Sequence, residues 1–116
     1  MQHIEDNIQI SCVTWFSLQY RELSRLLHHS PNGGKRNARE AKRFKDMGTR
    51  PGFPDLILLY SASGYSYLAI EMKTPIGTQS DYQKDYQKLI EMTGAKYVIC
   101  RSFDDFRREI KDYLKF

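Results

Sequence analysis

Three residues near the middle of the chain could act together on a phosphate group: Asp55, Glu71 and Lys73. The segment from Tyr67 to Lys73 alternates in the manner of a β-strand, so Glu71 and Lys73 should point to the same face. Asp55 opens an apolar run, residues 56–60, that predicts a neighbouring strand. We therefore expect the three side chains to meet at one edge of a sheet.

This set of side chains suits metal-dependent cleavage of a phosphodiester. Two carboxylates can bind a hard divalent cation through oxygen. Such a cation polarises a phosphate and lowers the pKa of a bound water. A lysine beside it can orient that water and stabilise the charge that develops during attack. On these three residues alone, however, an exposed surface pair is the commoner explanation, because so short a motif often arises by chance.

The composition predicts one compact domain spanning residues 1–116. The chain has 116 residues, 41% of them hydrophobic, which is too many for a disordered protein. Cys12 and Cys100 form no CxxC motif, so neither a zinc site nor a disulfide framework is indicated. Residues 1–9 are polar and no apolar run reaches membrane-spanning length. We expect a soluble protein of a reducing compartment with no membrane partner.

The hydrophobic periodicity predicts the element order α-β-α-β-β-α-β-α. The two strands at the centre of this order are expected to pair antiparallel around Ser63-Gly64. The order indicates a three-layer α/β fold with a small mixed sheet. The predicted elements lie at residues 4–20, 26–29, 37–47, 56–60, 67–72, 80–93, 96–100 and 103–114.

Positive charge is concentrated in residues 35–50, here called the basic segment. Within it, Glu40 and Asp46 are the only acidic residues against seven basic ones. Such a run is by default the solvated face of a helix. Because it directly precedes Asp55, we predict that it contacts nucleic-acid phosphates. The residues in this prediction are Lys35, Arg36, Arg39, Lys42, Arg43 and Arg50.

The sequence around the three residues resembles the VRR-NUC domain, a branch of the PD-(D/E)xK nuclease superfamily. The resemblance lies in Gly52-Phe53-Pro54-Asp55-Leu56 and Glu71-Met72-Lys73-Thr74-Pro75, followed by Gly77, Ser80 and Gln83. The turn at residues 31–34 and the segment 44–48 are also similar. The resemblance extends from the first helix to at least Arg101. It implies a restriction-endonuclease-like core, in which helices flank a small mixed β-sheet.

The resemblance also implies a role for each matching residue. Asp55 and Glu71 would bind a catalytic Mg²⁺ or Mn²⁺, and the backbone carbonyl of Met72 would be a third ligand. Lys73 would position the attacking water. Gln83, on the helix behind the strand, would help to hold Lys73 or the metal-bound water.

Family members usually add an acidic residue from the first helix. Glu5 is the first candidate for this role, either as a direct metal ligand or through a water molecule. Glu22 is the second candidate, because it lies nearer to the expected end of that helix.

The implied activity is structure-specific cleavage of DNA, including four-way (Holliday) junctions and other branched forms. A homodimer would place two sites to cut two strands. Small copies of this domain are common in phage and bacteria, which indicates the cytoplasm of a bacterial or phage-infected cell and a role in replication, recombination or repair.

Other functions are compatible with the same sequence. One is a sequence-specific, restriction-type endonuclease, and RNA is also open as a substrate. A second is a nucleic-acid-binding module that keeps the fold without catalysis, although such a module would be expected to lack part of the site. A third is an interaction domain whose basic helix binds an acidic protein.

Overall fold

A computed structural model describes residues 4–31 and 37–115 of the chain. Within these residues the predicted order of helices and strands is confirmed, with one short 3₁₀ helix added after the first helix. The elements are α1 (Ile4–Gln19), the 3₁₀ helix (Arg21–Leu26), β1 (Leu27–His29), α2 (Ala38–Asp46), β2 (Leu56–Leu58), β3 (Leu68–Met72), α3 (Asp81–Met92), β4 (Lys96–Cys100) and α4 (Phe103–Leu114).

The four strands form one mixed sheet in the order β1-β2-β3-β4. The pairs β1/β2 and β2/β3 are antiparallel, which confirms the predicted central pair, and β3/β4 is parallel. A parallel pair requires a crossover, and α3 supplies it. β2 is shorter than predicted and ends at Leu58, because the amide of Tyr60 donates to the Leu58 carbonyl at 3.0 Å and turns the chain.

The larger core lies between the sheet and the pair of helices α1 and α4. Cys12 and Phe16 of α1 are fully buried there, as are Phe106, Ile110 and Tyr113 of α4, which recur at helical spacing. The strand residues in this core follow the two-residue period of a sheet. They are Leu56, Leu58, Leu68, Ile70, Met72, Val98 and Cys100.

A thinner layer lies on the opposite face of the sheet, against α3. Its buried residues are Ala69, Ile90, Ala95 and Tyr97. Glu71 shares this face, because it is two residues from Ala69 along β3. Glu71 therefore lies on the α3 side of the sheet, with the large apolar core on the other side.

Two sequence predictions about the helices need correction. Glu22 is not part of the first helix: the chain departs from helical geometry at Tyr20 (φ −126°, ψ 65°), and Glu22 lies in the 3₁₀ helix that follows. The second helix begins at Ala38 rather than at Asn37, because Asn37 is its N-cap and accepts a hydrogen bond from the Glu40 amide. Most of the predicted turn at residues 31–34 lies outside the described residues.

Candidate active site

Asp55 lies just before β2 and bonds across to β3. Its Oδ2 atom accepts a hydrogen bond from the Met72 amide at 2.7 Å. Burial raises the pKa of Asp55 above its usual value, and this effect is partly offset by the Met72 hydrogen bond and increased by the nearby charge of Glu71. The carboxylate thus joins two strands while lying close enough to Glu71 to sense its charge.

Glu71 is the one buried charged residue among those described, with an exposed fraction of 0%. Its Oε1 atom accepts hydrogen bonds from the Tyr97 hydroxyl and from Gln79 Nε2, the latter at 3.2 Å. Its Oε2 atom has no hydrogen-bond partner and lies 3.6 Å from Lys73 Nζ. A buried carboxylate oxygen without a donor is costly, so this atom is suited to binding a cation.

Lys73 follows Glu71 on the same face, as the alternation predicts. Its side chain is 15% exposed. Its backbone amide donates to the Cys100 carbonyl at 2.9 Å, which fixes Lys73 at the end of β4. The loop after it is held by Arg101, whose Nη1 donates to the carbonyls of Thr74 at 2.9 Å and Gly77 at 2.5 Å. The ammonium group therefore extends from an anchored stretch of backbone.

Glu5 lies in the first turn of α1 and faces the same region as Asp55. Burial raises the pKa of Glu5, the Lys73 charge opposes that rise, and the charges of Asp55 and Glu71 add to it. A cleft of about 380 Å³ runs between α1 and the sheet end, and both Glu5 and Asp55 line it. Its other lining residues are Asp6, Gln9, His29, Pro31 and Met72. The structure thus brings Glu5, and not Glu22, to the candidate site.

Gln83 lies in the first turn of α3 and forms hydrogen bonds with Ser80 there. Its Oε1 accepts from the Ser80 amide at 2.8 Å, and its own amide donates to Ser80 Oγ at 3.2 Å, which is a capping box at the start of α3. Gln79 instead makes the contact with the acidic site, through Glu71. The spacing Ser80-x-x-Gln83 is itself the sequence signature of a capping box.

Two further residues at the site were not predicted from the sequence. Tyr97 contacts Glu71 from β4, and burial together with this contact raises the pKa of its hydroxyl, so it stays protonated and can donate. His29 Nδ1 lies 2.9 Å from the Asp55 carbonyl oxygen and 3.0 Å from Gln9 Nε2, which connects β1 with α1. No local sequence pattern signals either contact.

The donor set fits a small, hard cation that keeps part of its water shell. Within residues 4–31 and 37–115, no three Asp, Glu, His or Cys side chains converge into a ready-made cage for an ion. Mg²⁺ typically takes one or two carboxylates and completes its shell with water and phosphate. Asp55 and Glu71 Oε2 match that requirement, and the second is an unpaired buried oxygen.

The described part of the basic segment is exposed and lies largely on α2, which has no buried residue. Lys42 pairs with Asp46 at 2.8 Å, and Arg50 Nη1 donates to the Lys45 carbonyl at 3.0 Å. On the other side of the segment, just after β1, the backbone amide of Ser30 donates a hydrogen bond to the Asp55 carbonyl at 3.0 Å. Of the six residues predicted to contact phosphates, Arg39, Lys42, Arg43 and Arg50 are exposed, whereas Lys35 and Arg36 lie outside the described residues.

Comparison with known proteins agrees with this geometry. The sequence model of the VRR-NUC domain matches residues 4–104. A solved structure described as a VRR_NUC domain protein is 28% identical in sequence, with a TM-score of 0.85, over 99% of this chain and 91% of that chain. None of the curated proteins matches the sequence. No helix among the described residues is long and apolar enough to cross a membrane.

Proposed function

This chain belongs to the VRR-NUC domain family of nucleases. We propose that it is a metal-dependent endonuclease that hydrolyses phosphodiester bonds in branched DNA, four-way junctions among them. We further propose that it acts as a single domain. The observation that carries the proposal is Glu71 Oε2, a fully buried carboxylate oxygen without a hydrogen bond, 3.6 Å from Lys73 Nζ. A nuclease with a catalytic cation needs such an oxygen, whereas a plain binding module does not.

In this proposal Asp55, Glu71 and the Met72 carbonyl hold Mg²⁺ or Mn²⁺, and Glu5 adds a carboxylate directly or through water. When bound, the cation supplies Lewis acidity to the phosphate and acidifies a water. Without the cation, repulsion between the Asp55 and Glu71 carboxylates adds to burial in raising the pKa of Asp55. Cation binding would relieve that repulsion.

Lys73 positions the attacking water and stabilises the charge on the phosphate oxygens as they are attacked. Its placement supports this role, because the ammonium lies against Glu71 and its backbone is fixed to β4. Gln83, which also caps α3, helps to hold Lys73 or the metal-bound water.

The basic segment would contact the DNA backbone and orient the substrate. Its exposed cations adjoin residues 49–54, the connector that leads to Asp55, and phosphate contacts of this kind fix the register of the DNA without reading its sequence. A homodimer would present two such sites and cut two strands of a junction. Sedimentation at micromolar concentration, with and without DNA, tests the dimer, and a monomer under both conditions would contradict it.

A cleavage panel tests the proposed activity. The substrates are a four-way junction, a flap, a fork, a linear duplex and a single strand, each with Mg²⁺, Mn²⁺ or a chelator. Wild type is compared with Asp55→Asn and Lys73→Ala, and with the exposed α3 variants Asp85→Asn and Lys88→Ala as matched controls. We expect metal-dependent cutting of branched DNA that the first two substitutions abolish and the controls retain.

Other outcomes would favour the alternatives. Cutting at one short sequence in linear duplex, whatever the branching, would indicate a restriction-type enzyme. Salt-sensitive DNA binding without cutting in any lane would indicate a binding module. Wild-type rates in Asp55→Asn or Lys73→Ala would remove the site assignment itself.

A further inference from the structure

The Glu71 carboxylate is held on one oxygen only. The Tyr97 hydroxyl and Gln79 Nε2 both donate to Oε1, whereas Oε2 accepts no hydrogen bond. Two donors that converge on a single oxygen fix both the position and the plane of a carboxylate. The two oxygens of Glu71 are therefore not equivalent, and only Oε2 is available to a further partner.

Tyr97 reaches Glu71 because of the register between β3 and β4. Tyr97 is paired with Ala69, two residues before Glu71 on the same face of the sheet. The small Ala69 side chain leaves room for the phenol ring to extend diagonally, a distance that aromatic side chains can span. Tyr97 is itself buried, so its ring has little freedom to leave this position.

Gln79 is oriented by a second chain of hydrogen bonds. A carboxylate only accepts hydrogen bonds, so the amide nitrogen of Gln79 must face Glu71. The same nitrogen donates to Gln87 Oε1 at 2.9 Å, and Gln87 Nε2 donates to Glu91 Oε2 at 3.3 Å. Both protons of the Gln79 amide are thus used, and its direction is set by residues of α3.

From these contacts we propose that Tyr97 and Gln79 are positioning residues that hold Oε1 of Glu71, so that Oε2 alone binds the catalytic metal. The proposal rests on the nuclease function proposed above and adds two residues to it. Neither residue touches the substrate in this account. Their effect passes through Glu71, so their loss should weaken metal binding more than it impairs the chemical step.

Metal binding measured without DNA tests the proposal directly. Mn²⁺ affinity is measured by electron paramagnetic resonance for wild type, Tyr97→Phe and Gln79→Ala. Loss of an outer partner of a metal ligand typically costs about ten- to a hundredfold in affinity, and we expect that range for both variants. Tyr67→Phe is the matched control, because it removes a tyrosine hydroxyl near the same layer that bonds to Thr93 Oγ1 at 3.2 Å instead.

A kinetic measurement separates positioning from mere damage to the fold. Raising Mn²⁺ should restore the cleavage rate of Tyr97→Phe towards that of wild type, but should not restore that of Lys73→Ala. Gln79→Ala removes a partly exposed side chain, so it remains informative if Tyr97→Phe folds poorly.

The outcomes are distinguishable. Mn²⁺ affinity in Tyr97→Phe and Gln79→Ala within twofold of wild type, while wild type cuts DNA, would overturn the positioning role alone. A wild-type protein that neither binds Mn²⁺ nor cuts DNA would overturn both this inference and the proposed function. Weakened affinity in both variants, with Tyr67→Phe unchanged, would support it.

Discussion

Asp55 combines a structural contact with a proposed catalytic one. Its Oδ2 atom accepts the Met72 amide proton, and the same carboxylate lines the cleft with Glu5. A substitution at this position therefore has two separable effects. One effect is the loss of a negative charge that could bind a cation. The other is the loss of the acceptor for the Met72 amide.

We predict that Asp55→Asn and Asp55→Ala are equally inactive but differ in stability. Asparagine keeps an oxygen that can accept from the Met72 amide, whereas alanine leaves that donor unpaired. An unpaired buried donor costs about 1–3 kcal/mol, so Asp55→Ala should unfold at lower urea concentration. Equal urea midpoints for the two variants would contradict the structural role of this hydrogen bond.

The pH dependence of stability should report the environment of Asp55. Its pKa is raised above 3.8, chiefly by burial, so the folded chain holds this proton more tightly than the unfolded chain does. The resulting contribution to stability is present below pH 3.8 and is lost as the pH rises through the raised pKa. In chelator, Asp55→Asn should therefore gain stability relative to wild type as the pH rises.

Asp105 provides a control of opposite sign. The Arg101 amide donates to it at 2.9 Å, and its pKa is lowered, chiefly by that hydrogen bond. Its contribution to stability is present above pH 3.8 and is lost as the pH falls through the lowered pKa. Asp105→Asn should thus lose stability relative to wild type as the pH rises. Urea unfolding at several pH values measures the stability of both variants relative to wild type. Stability differences that change with the same sign as the pH rises would contradict these two predictions.

The connector before Asp55 (residues 49–54) packs closely against the backbone of α3. Gly52 has φ +81°, and a Cβ atom there would lie 2.5 Å from the backbone carbon of Tyr82. The backbone of α3 cannot move aside as the end of a flexible side chain can. This close approach fixes the position of α3 relative to the residue that begins β2.

We predict that Gly52→Ala is more destabilising than Gly64→Ala. Gly64 also has a positive φ, +85°, but a Cβ atom there would meet nothing within 4 Å. Gly64→Ala should therefore cost only the left-handed backbone penalty, about 1–2 kcal/mol. Gly52→Ala adds the clash with α3 and should also lower cleavage by displacing Asp55. Urea unfolding of the two variants checks this, and equal costs would contradict it.

The sequence predicted the elements better than it predicted their contacts. Periodicity indicated the strands and the helices α1, α3 and α4, because each of them buries a face or a stripe. The helix α2 has no buried residue, and the 3₁₀ helix was not predicted from the sequence. Periodicity also predicted that Glu71 and Lys73 share a face, since alternation is local. The contact of Tyr97 with Glu71 depends on the register between the parallel strands β3 and β4. The contact of Gln79 with Glu71 depends on how α3 packs over the sheet. Those relations arise only from tertiary packing, which no local pattern encodes.

At the scale of the whole molecule, the two faces of the sheet have different contents. The α1 and α4 side holds the apolar core, and the α3 side holds Glu71 with its polar partners. Cys12 and Cys100 belong to the apolar side and are both 0% exposed. Burial raises the pKa of both thiols to about 12, so they remain protonated and unreactive near neutral pH.

We predict that a thiol reagent such as Ellman's reagent modifies neither cysteine in the folded protein and both in urea. The reaction should follow the same urea dependence as circular dichroism, because the thiols become accessible only when the core opens. Rapid modification of one cysteine in native buffer would contradict the packing of that face.

The hydrogen bond from the Met72 amide to Asp55 also provides a spectroscopic probe. The amide proton points at the Asp55 carboxyl group rather than at a strand carbonyl, so its NMR resonance should respond to the charge state of that group. In a ¹H–¹⁵N correlation spectrum, the Met72 cross-peak should shift when a cation reaches Asp55, without DNA and without cleavage. A backbone amide can thus report cation binding at Asp55 with no probe attached to any side chain.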